Sequence, residues 1–373
     1  MDLSAKLDDL INHLDTFEPN PEETPVFIGL DGYIDKIQKV VQSQDGQSRV
    51  YYPTIDAFAE RIARAAGLSA QLELVSQEVK LGGNAPIMAH ALASLGVSNY
   101  CLGNFGSPAI DPLFEQIHSQ SKLISLGAPA ETNALEFEDG KLILSEVSPF
   151  QPIDWNFVKE TVGLANLAQY CNSAKFIALV DWCNLPLATD VWRGIAQELV
   201  PQLTNAPRHF FFDLADPTKK SQVAIEEVLE VIGSFNKYGT VTLGLNENEA
   251  RRLAQAIETQ TGKSAGEDLT EVCLFIYDHT NLTNLLVHPL NRSIIVSPQG
   301  IQSIPGRVVA KPRISTGGGD NLNAGFCFGQ LVGYSLEDSA LLGMATSGAY
   351  VQNGKSPSRS ELIFYLQNWK NNL

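Results

Sequence analysis

No stretch of about 18 consecutive apolar residues occurs in this chain, so nothing in it reads as a membrane-crossing helix. Cysteine is sparse: five residues, at 101, 171, 183, 273 and 327, odd in number and without a CxxC pair. That distribution argues against a disulfide framework or a cysteine zinc site and for reduced thiols. Cationic residues are outnumbered, with 26 Lys and Arg against 42 Asp and Glu and a formal net charge of −16. No nucleic-acid or anionic-membrane partner is expected, because phosphate contacts need a basic face. The six histidines show no HxxxH or triad-like grouping, and surface or core positions are their default. Met1 to Lys6 has no basic flank followed by an apolar core, so a secretory leader is not expected, and the reduced thiols imply a cytoplasmic location. Repeats, low-complexity tracts and Gly/Ser/Pro linkers are also lacking.

What is present is enough for one large domain. The 373 residues, 44% hydrophobic and 18% charged, suit a single α/β unit spanning 1–373. Short apolar runs alternate with helical patterns: Val26 to Leu30, Phe176 to Val180, His209 to Phe212, Val241 to Leu245 and Val272 to Ile276. Runs apolar on both faces and separated by helices predict a buried, largely parallel sheet. Asp31, Asp181, Asp213 and Asn246 each follow such a run. Ligands bind at the carboxyl ends of strands in open α/β sheets, although turn formers and helix caps are common there too. Two segments differ. Val40 to Tyr52 and Ala134 to Val147 carry strand-like residues around Asp45-Gly46 and Asp139-Gly140, a strong hairpin signal. Inserted at about 36–56 and 130–148, these hairpins are expected to form a small lid sheet that excludes water.

The densest signal is Ser315-Thr316-Gly317-Gly318-Gly319-Asp320, leading into the helical run Leu322 to Val332. Glycines let successive amides converge on an anion, and a helix start adds unpaired N–H groups and the positive end of a dipole. A carboxylate in such a place suits general-base chemistry, or it is an ordinary first-turn acid.

With these residues in view, the sequence resembles the ribokinase-like (PfkB) carbohydrate kinases over roughly residues 25 to 365. The resemblance implies a three-layer fold with a central, mostly parallel sheet flanked by helices, plus a small β-sheet lid. It also implies phosphoryl transfer from ATP with Mg²⁺ to a sugar-like acceptor. The family's Asp-Thr-x-Gly-Ala-Gly-Asp signature matches Ile314 to Asp320. The match makes Asp320 the base and Gly317, Gly318, Gly319 and Asp320 the anion hole, chemistry that suits in-line phosphoryl transfer.

The family's Gly-Gly-x-x-x-Asn signature appears as Gly82-Gly83-Asn84-Ala85-Pro86-Ile87, with Ile87 in place of the asparagine. A donor to the acceptor is therefore missing or supplied elsewhere, for instance by Asn84. Asn246 and Glu249 match the Asn-x-x-Glu motif, which implies that Glu249 organises Mg²⁺ through water with Asn246 beside the nucleotide. Ser315, Thr316, Asn323, Ala345, Gly348 and Asn353 are implied on the nucleotide side. On the acceptor side the resemblance implies Asp35 or, second, Asp31. Asp213 or Asp216 holds metal or caps a turn, with capping favoured. Ile314 stands where many members place a K⁺-binding acid, which leaves monovalent-cation activation open.

Thr261-Gly262-Lys263-Ser264 imitates the end of a phosphate-binding P-loop but has Ile257 where the motif's first glycine belongs, so it reads as a turn. The alternatives to a sugar kinase are a noncatalytic nucleotide- or sugar-binding relative, and a kinase for a nucleoside or another alcohol. A homodimer through the lid hairpins is a further expectation.

Overall fold

The computed structural model describes residues 2–20, 23–205, 208–314 and 316–373. The chain opens with α1 (Leu3–Thr16), β1 (Val26–Gly29), β2 (Tyr33–Asp45), β3 (Ser48–Tyr51), α2 (Ile55–Ala63), β4 (Leu74–Gly82), α3 (Asn84–Ser94), β5 (Asn99–Gly103) and β6 (Ser121–Ser125). It continues through β7 (Ala130–Phe137), β8 (Gly140–Glu146), α4 (Trp155–Val162), α5 (Leu164–Asn172), β9 (Phe176–Leu179), α6 (Ala188–Gly194), β10 (Arg208–Asp213), α7 (Gln222–Ser234) and β11 (Gly239–Asn246). The last third holds α8 (Glu247–Thr261), α9 (Leu269–Asp278), β12 (Asn284–His288), β13 (Arg292–Ser297), β14 (Gly300–Pro305), α10 (Gly318–Leu331), α11 (Leu336–Asn353) and α12 (Arg359–Lys370).

Nine strands form the main sheet in the order β14-β13-β12-β11-β10-β9-β1-β5-β6. Pairing is parallel from β12 to β6, while β13 and β14 add an antiparallel edge. Alternating side chains feed two cores, as strand geometry requires. Phe210 and Phe212 of β10 pack with α4 to α9, whereas Phe211 packs with α1, α3 and α10 to α12. Helices thus cover both faces, which is why the strands carry apolar residues on both.

The expected strand at Val272 to Ile276 is instead part of α9. Asp268 caps that helix by accepting from the Thr270 N–H at 2.7 Å, and the buried Leu269, Val272, Cys273 and Ile276 recur at helical spacing. The strand at this place in the sheet is β12 (Asn284–His288), twelve residues later.

The two hairpins join one five-stranded sheet. β2 pairs antiparallel with β3 and parallel with β7, and β7 pairs antiparallel with β8. The sequence reading missed β4, which pairs antiparallel with the root of β2. Its burial does not alternate cleanly, so it lacks the period-two signature of a half-covered strand. A small core of Val40, Tyr52, Phe58 and Leu135 lies under this sheet.

Candidate active site

The start of α10 is the centre of the site. Gly317 has φ +88°, the left-handed region, and a Cβ there would lie 2.7 Å from the Tyr350 hydroxyl. That hydroxyl donates to the Thr316 carbonyl at 2.8 Å and so fixes the turn. Most other helices begin with a side-chain cap, and α8 and α12 carry full capping boxes. Among the described residues, α10 has no side-chain acceptor at its first turn. Its amides therefore remain available to an anion, with Gly318 and Gly319 adding no side chain that would block approach.

Asp320 sits in that first turn and is buried. Around it the carboxyl ends of the strands bring together Asp31 after β1, Asp181 after β9, Asp213 at the end of β10 and Glu249 in α8. Burial first, then the charges of Asp213, Asp31, Asp181 and Glu249, hold the Asp320 carboxyl well above the usual range. Glu249 is pushed up to about 8 by burial and by the nearby Asp213. Its position is set by a capping box: the Asn246 N–H donates to Glu249 Oε2 at 2.9 Å, and the Glu249 N–H to Asn246 Oδ1 at 3.0 Å.

Asp213 accepts from the Ala215 N–H at 2.8 Å and from Asn323 Nδ2 at 2.7 Å, which ties the end of β10 to α10. Asp216 accepts from the Thr218 N–H at 3.0 Å, so it caps a local turn. Among the described residues no three His, Cys, Asp or Glu side chains are grouped tightly enough to hold an ion directly. A hydrated Mg²⁺, bound partly through water, matches this loose, oxygen-rich and mutually repelling set.

The acceptor-side residues divide. Asp31 accepts from the Asn84 and Ala85 amides at 2.6 and 2.7 Å and thereby caps α3. Burial raises its carboxyl to about 7. Asp35, on β2, lies opposite Lys80 of β4 and Thr132 of β7. Burial raises its carboxyl, opposed by Lys80, Thr132 and Lys141. A Cβ on Gly82 would stand 2.4 Å from this carboxylate, so the glycine makes room for it. Gly83, at the start of α3, and Asn84 follow directly. A cavity of about 360 Å³ contains Asp35, Lys80, Ile87, His90, Thr316 and Tyr350 among its walls.

Several nucleotide-side expectations find other surroundings. Ala345 is fully buried in the apolar core, and the Tyr365 hydroxyl lies 2.2 Å from where a Gly348 Cβ would be. Both small residues let α11 pack closely within the core. Asn353 ends α11, where its carbonyl accepts from Arg313 at 3.4 Å. Ser315 lies outside the described residues. Gly262 is the left-handed C-cap of α8, which makes the imitation P-loop a helix end.

Sequence reasoning missed Lys141 and Tyr350. Lys141 directly follows the Asp139-Gly140 turn and donates to the Thr316 hydroxyl, so the second sheet touches the glycine loop. Its only signal was alternation along the hairpin. Tyr350 stood in a helix read only for its small residues.

With this geometry established, similarity to known proteins decides the family. A family model described as prokaryotic ketohexokinase matches residues 14–369. The chain belongs to that family. It is a carbohydrate kinase. A ketohexokinase from Haloferax volcanii is 29% identical over 342 residues, covering 90% of this kinase and 89% of the relative. A probable sugar kinase from Rhizobium etli superposes with a TM-score of 0.64 at 18% identity, covering 93% of the kinase and 98% of the other chain. Ribokinase from Thermotoga maritima gives 0.63 at 15%, covering 93% and 100%. At these identities the two structures establish the ribokinase-like fold that the kinase shares.

Proposed function

We propose that this kinase transfers the γ-phosphoryl group of ATP to a hydroxyl of a ketohexose, with Asp320 as the general base. The observation that carries the reading is a buried carboxylate in the first turn of an uncapped glycine-led helix. A helix start that binds anions is suited to phosphate, and a base is useful there only if a hydroxyl must lose its proton. Asp35 holds acceptor hydroxyls, and Tyr350, which lies in the field of both Asp35 and Asp320, spans the two halves. Asp31 shapes the acceptor floor indirectly by fixing the start of α3. The ketohexose comes from the family description and the Haloferax relative.

Asp213 raises the proton affinity of Glu249, and both raise that of Asp320; this repulsion is the structural reason to expect a divalent cation among them. Mg²⁺, when bound, supplies charge neutralisation to the triphosphate. With positive charge nearby, the Asp320 carboxyl is favoured in its ionised form, the form that accepts the hydroxyl proton. The amides of Gly318, Gly319 and Asp320 face the charge that develops on the transferring group. Asn323, held by Asp213, keeps α10 in register with β10 and is assigned a positioning role.

A coupled assay for ADP formation across ketoses, aldoses and nucleosides tests this reading, using wild type and Asp320→Asn. D-Fructose is expected to stimulate wild type most strongly. Turnover stimulated by no acceptor, or undiminished in Asp320→Asn, would overturn it.

A further inference from the structure

Two side chains of α3 line the cavity that holds Asp35: Ile87 and, three residues on, His90. That spacing places them on one helix face. Ile87 offers the cavity no hydrogen bond. A carboxylate such as Asp35 only accepts, so it reads hydroxyl protons and leaves the lone pairs of a sugar unread. Among the cationic walls, Lys80 stands opposite Asp35 in the β2–β4 pairing and acts on its carboxylate, Lys355 is paired with Glu361 at 2.7 Å, and Arg313 donates to the Asn353 carbonyl.

His90 differs, because its ring is locked by the backbone. The His118 N–H donates to His90 Nδ1 at 3.1 Å. A nitrogen that accepts carries no proton, so the neutral ring bears its hydrogen on Nε2. No described residue hydrogen-bonds to Nε2. Burial and the neighbouring His118 lower the ring's proton affinity and keep it neutral. The outcome is a single uncharged N–H donor of fixed orientation on the wall shared with Asp35.

We propose that His90 is a specificity-determining residue of the acceptor site, its Nε2–H donating to a hydroxyl or carbonyl oxygen of the bound sugar. It supplies the donor that Ile87 lacks one turn earlier. The proposal rests on reading the Asp35 cavity as the acceptor pocket. A site that hydrogen-bonds a substrate oxygen discriminates strongly against analogues lacking it, because the buried donor is then left unpaired.

The test is steady-state kinetics of His90→Leu and His90→Gln with D-fructose and Mg-ATP varied separately. His90→Leu is expected to raise the KM for fructose roughly 10-fold or more and to leave the KM for ATP within about twofold. His90→Gln, whose amide N–H₂ reaches a similar point, is expected to recover most of the loss. A set of deoxyfructoses locates the contact: one position costs wild type roughly 10-fold, and costs His90→Leu nothing further. An unchanged fructose KM in a folded His90→Leu overturns the role, as does an equal rise in the ATP KM or an equal loss in His90→Gln. If His90→Leu does not fold, the deoxyfructose set on His90→Gln decides, since a retained donor predicts the wild-type pattern and any other pattern overturns the role. Wild type that forms no ADP with any sugar sinks the kinase reading itself and this role with it. Turnover insensitive to His90 sinks only the latter.

Discussion

The two sheets of this kinase solve different problems. The nine-stranded sheet is covered on both faces by helices and large aromatic side chains, among them Phe176, Phe210, Phe211 and Phe212, all nearly inaccessible. The five-stranded sheet rests on a core of four buried residues and leaves Val50, Leu74, Val79, Ile143 and Leu144 exposed. Asp181 and Asp213 stand at strand ends of the first, and Glu249 in the first turn of α8, which follows β11 directly. Asp35, Lys80 and Lys141 stand on the second. On the proposed assignment the groups for the phosphates and the base are thus anchored to the more deeply buried sheet, where misplacement is most costly. By the same assignment the acceptor meets Asp35 on a sheet with little buried area, which opens at low free-energy cost, and His90 on α3, which packs against the large core.

The sharpest test of this division is Asp320→Asn. It is expected to lower kcat by roughly 10²- to 10⁴-fold while the thermal midpoint is kept or raised, because a repelled buried acid has been removed. Coupled-assay rates and calorimetry measure the two effects; a large loss of stability would show that Asp320 is structural.

Next in size is a paired truncation. Phe212→Ala is expected to lower global stability by about 3–5 kcal/mol in denaturant titration. Phe58→Ala is expected to cost the global transition clearly less and to speed amide exchange in β2, β3 and β7. Equal global costs would erase the distinction between the sheets.

Gly82→Ala, whose Cβ would press on the Asp35 carboxylate, is expected to raise the acceptor KM roughly tenfold and to spare the ATP KM. An unchanged acceptor KM would detach Asp35 from the acceptor.

The smallest effect is on pH. Glu249 takes up a proton more readily folded, at about 8, than its ordinary value of 4.5. The folded state then binds more protons between those values, so this group's stabilisation is complete below about 4.5 and is lost as pH rises through about 8. The ligand-free midpoint is expected to fall by roughly 2 °C or more across that window, and Glu249→Gln to flatten the fall. A Glu249→Gln slope equal to wild type would remove Glu249 from the acid cluster.

Much of the main sheet was legible because its strands are short, apolar on both faces and followed by acids or Asn246. The run at 272–276 misled for a physical reason: five apolar residues without flanking context suit a buried strand or one face of a helix equally. Its Asp268 cap and helical spacing only become decisive over the longer segment. β4 escaped notice because its side chains do not alternate. The glycine-led helix start was visible in the residues, since glycine takes the left-handed turn at 317 at no steric cost. At Gly348 the side chain that comes close is Tyr365, whose hydroxyl lies 2.2 Å from where a Cβ would be, a long-range contact that the small-residue pattern alone could not name.

By itself the sequence determined the local conformations and the chemical inventory: the anion-ready turn at 317–320, the Asn246–Glu249 capping box, the two hairpin turns and the acids after the strands. Each follows from φ preferences, capping or hydrophobic period, which act over a few residues. The tertiary structure decided which acids share a field, that Asp31 caps α3 while Asp35 faces the cavity, that Lys141 reaches Thr316, and that His90 holds its proton on Nε2. Those outcomes depend on contacts between residues far apart in the chain, and on burial that turns ordinary carboxylates into a strongly coupled set.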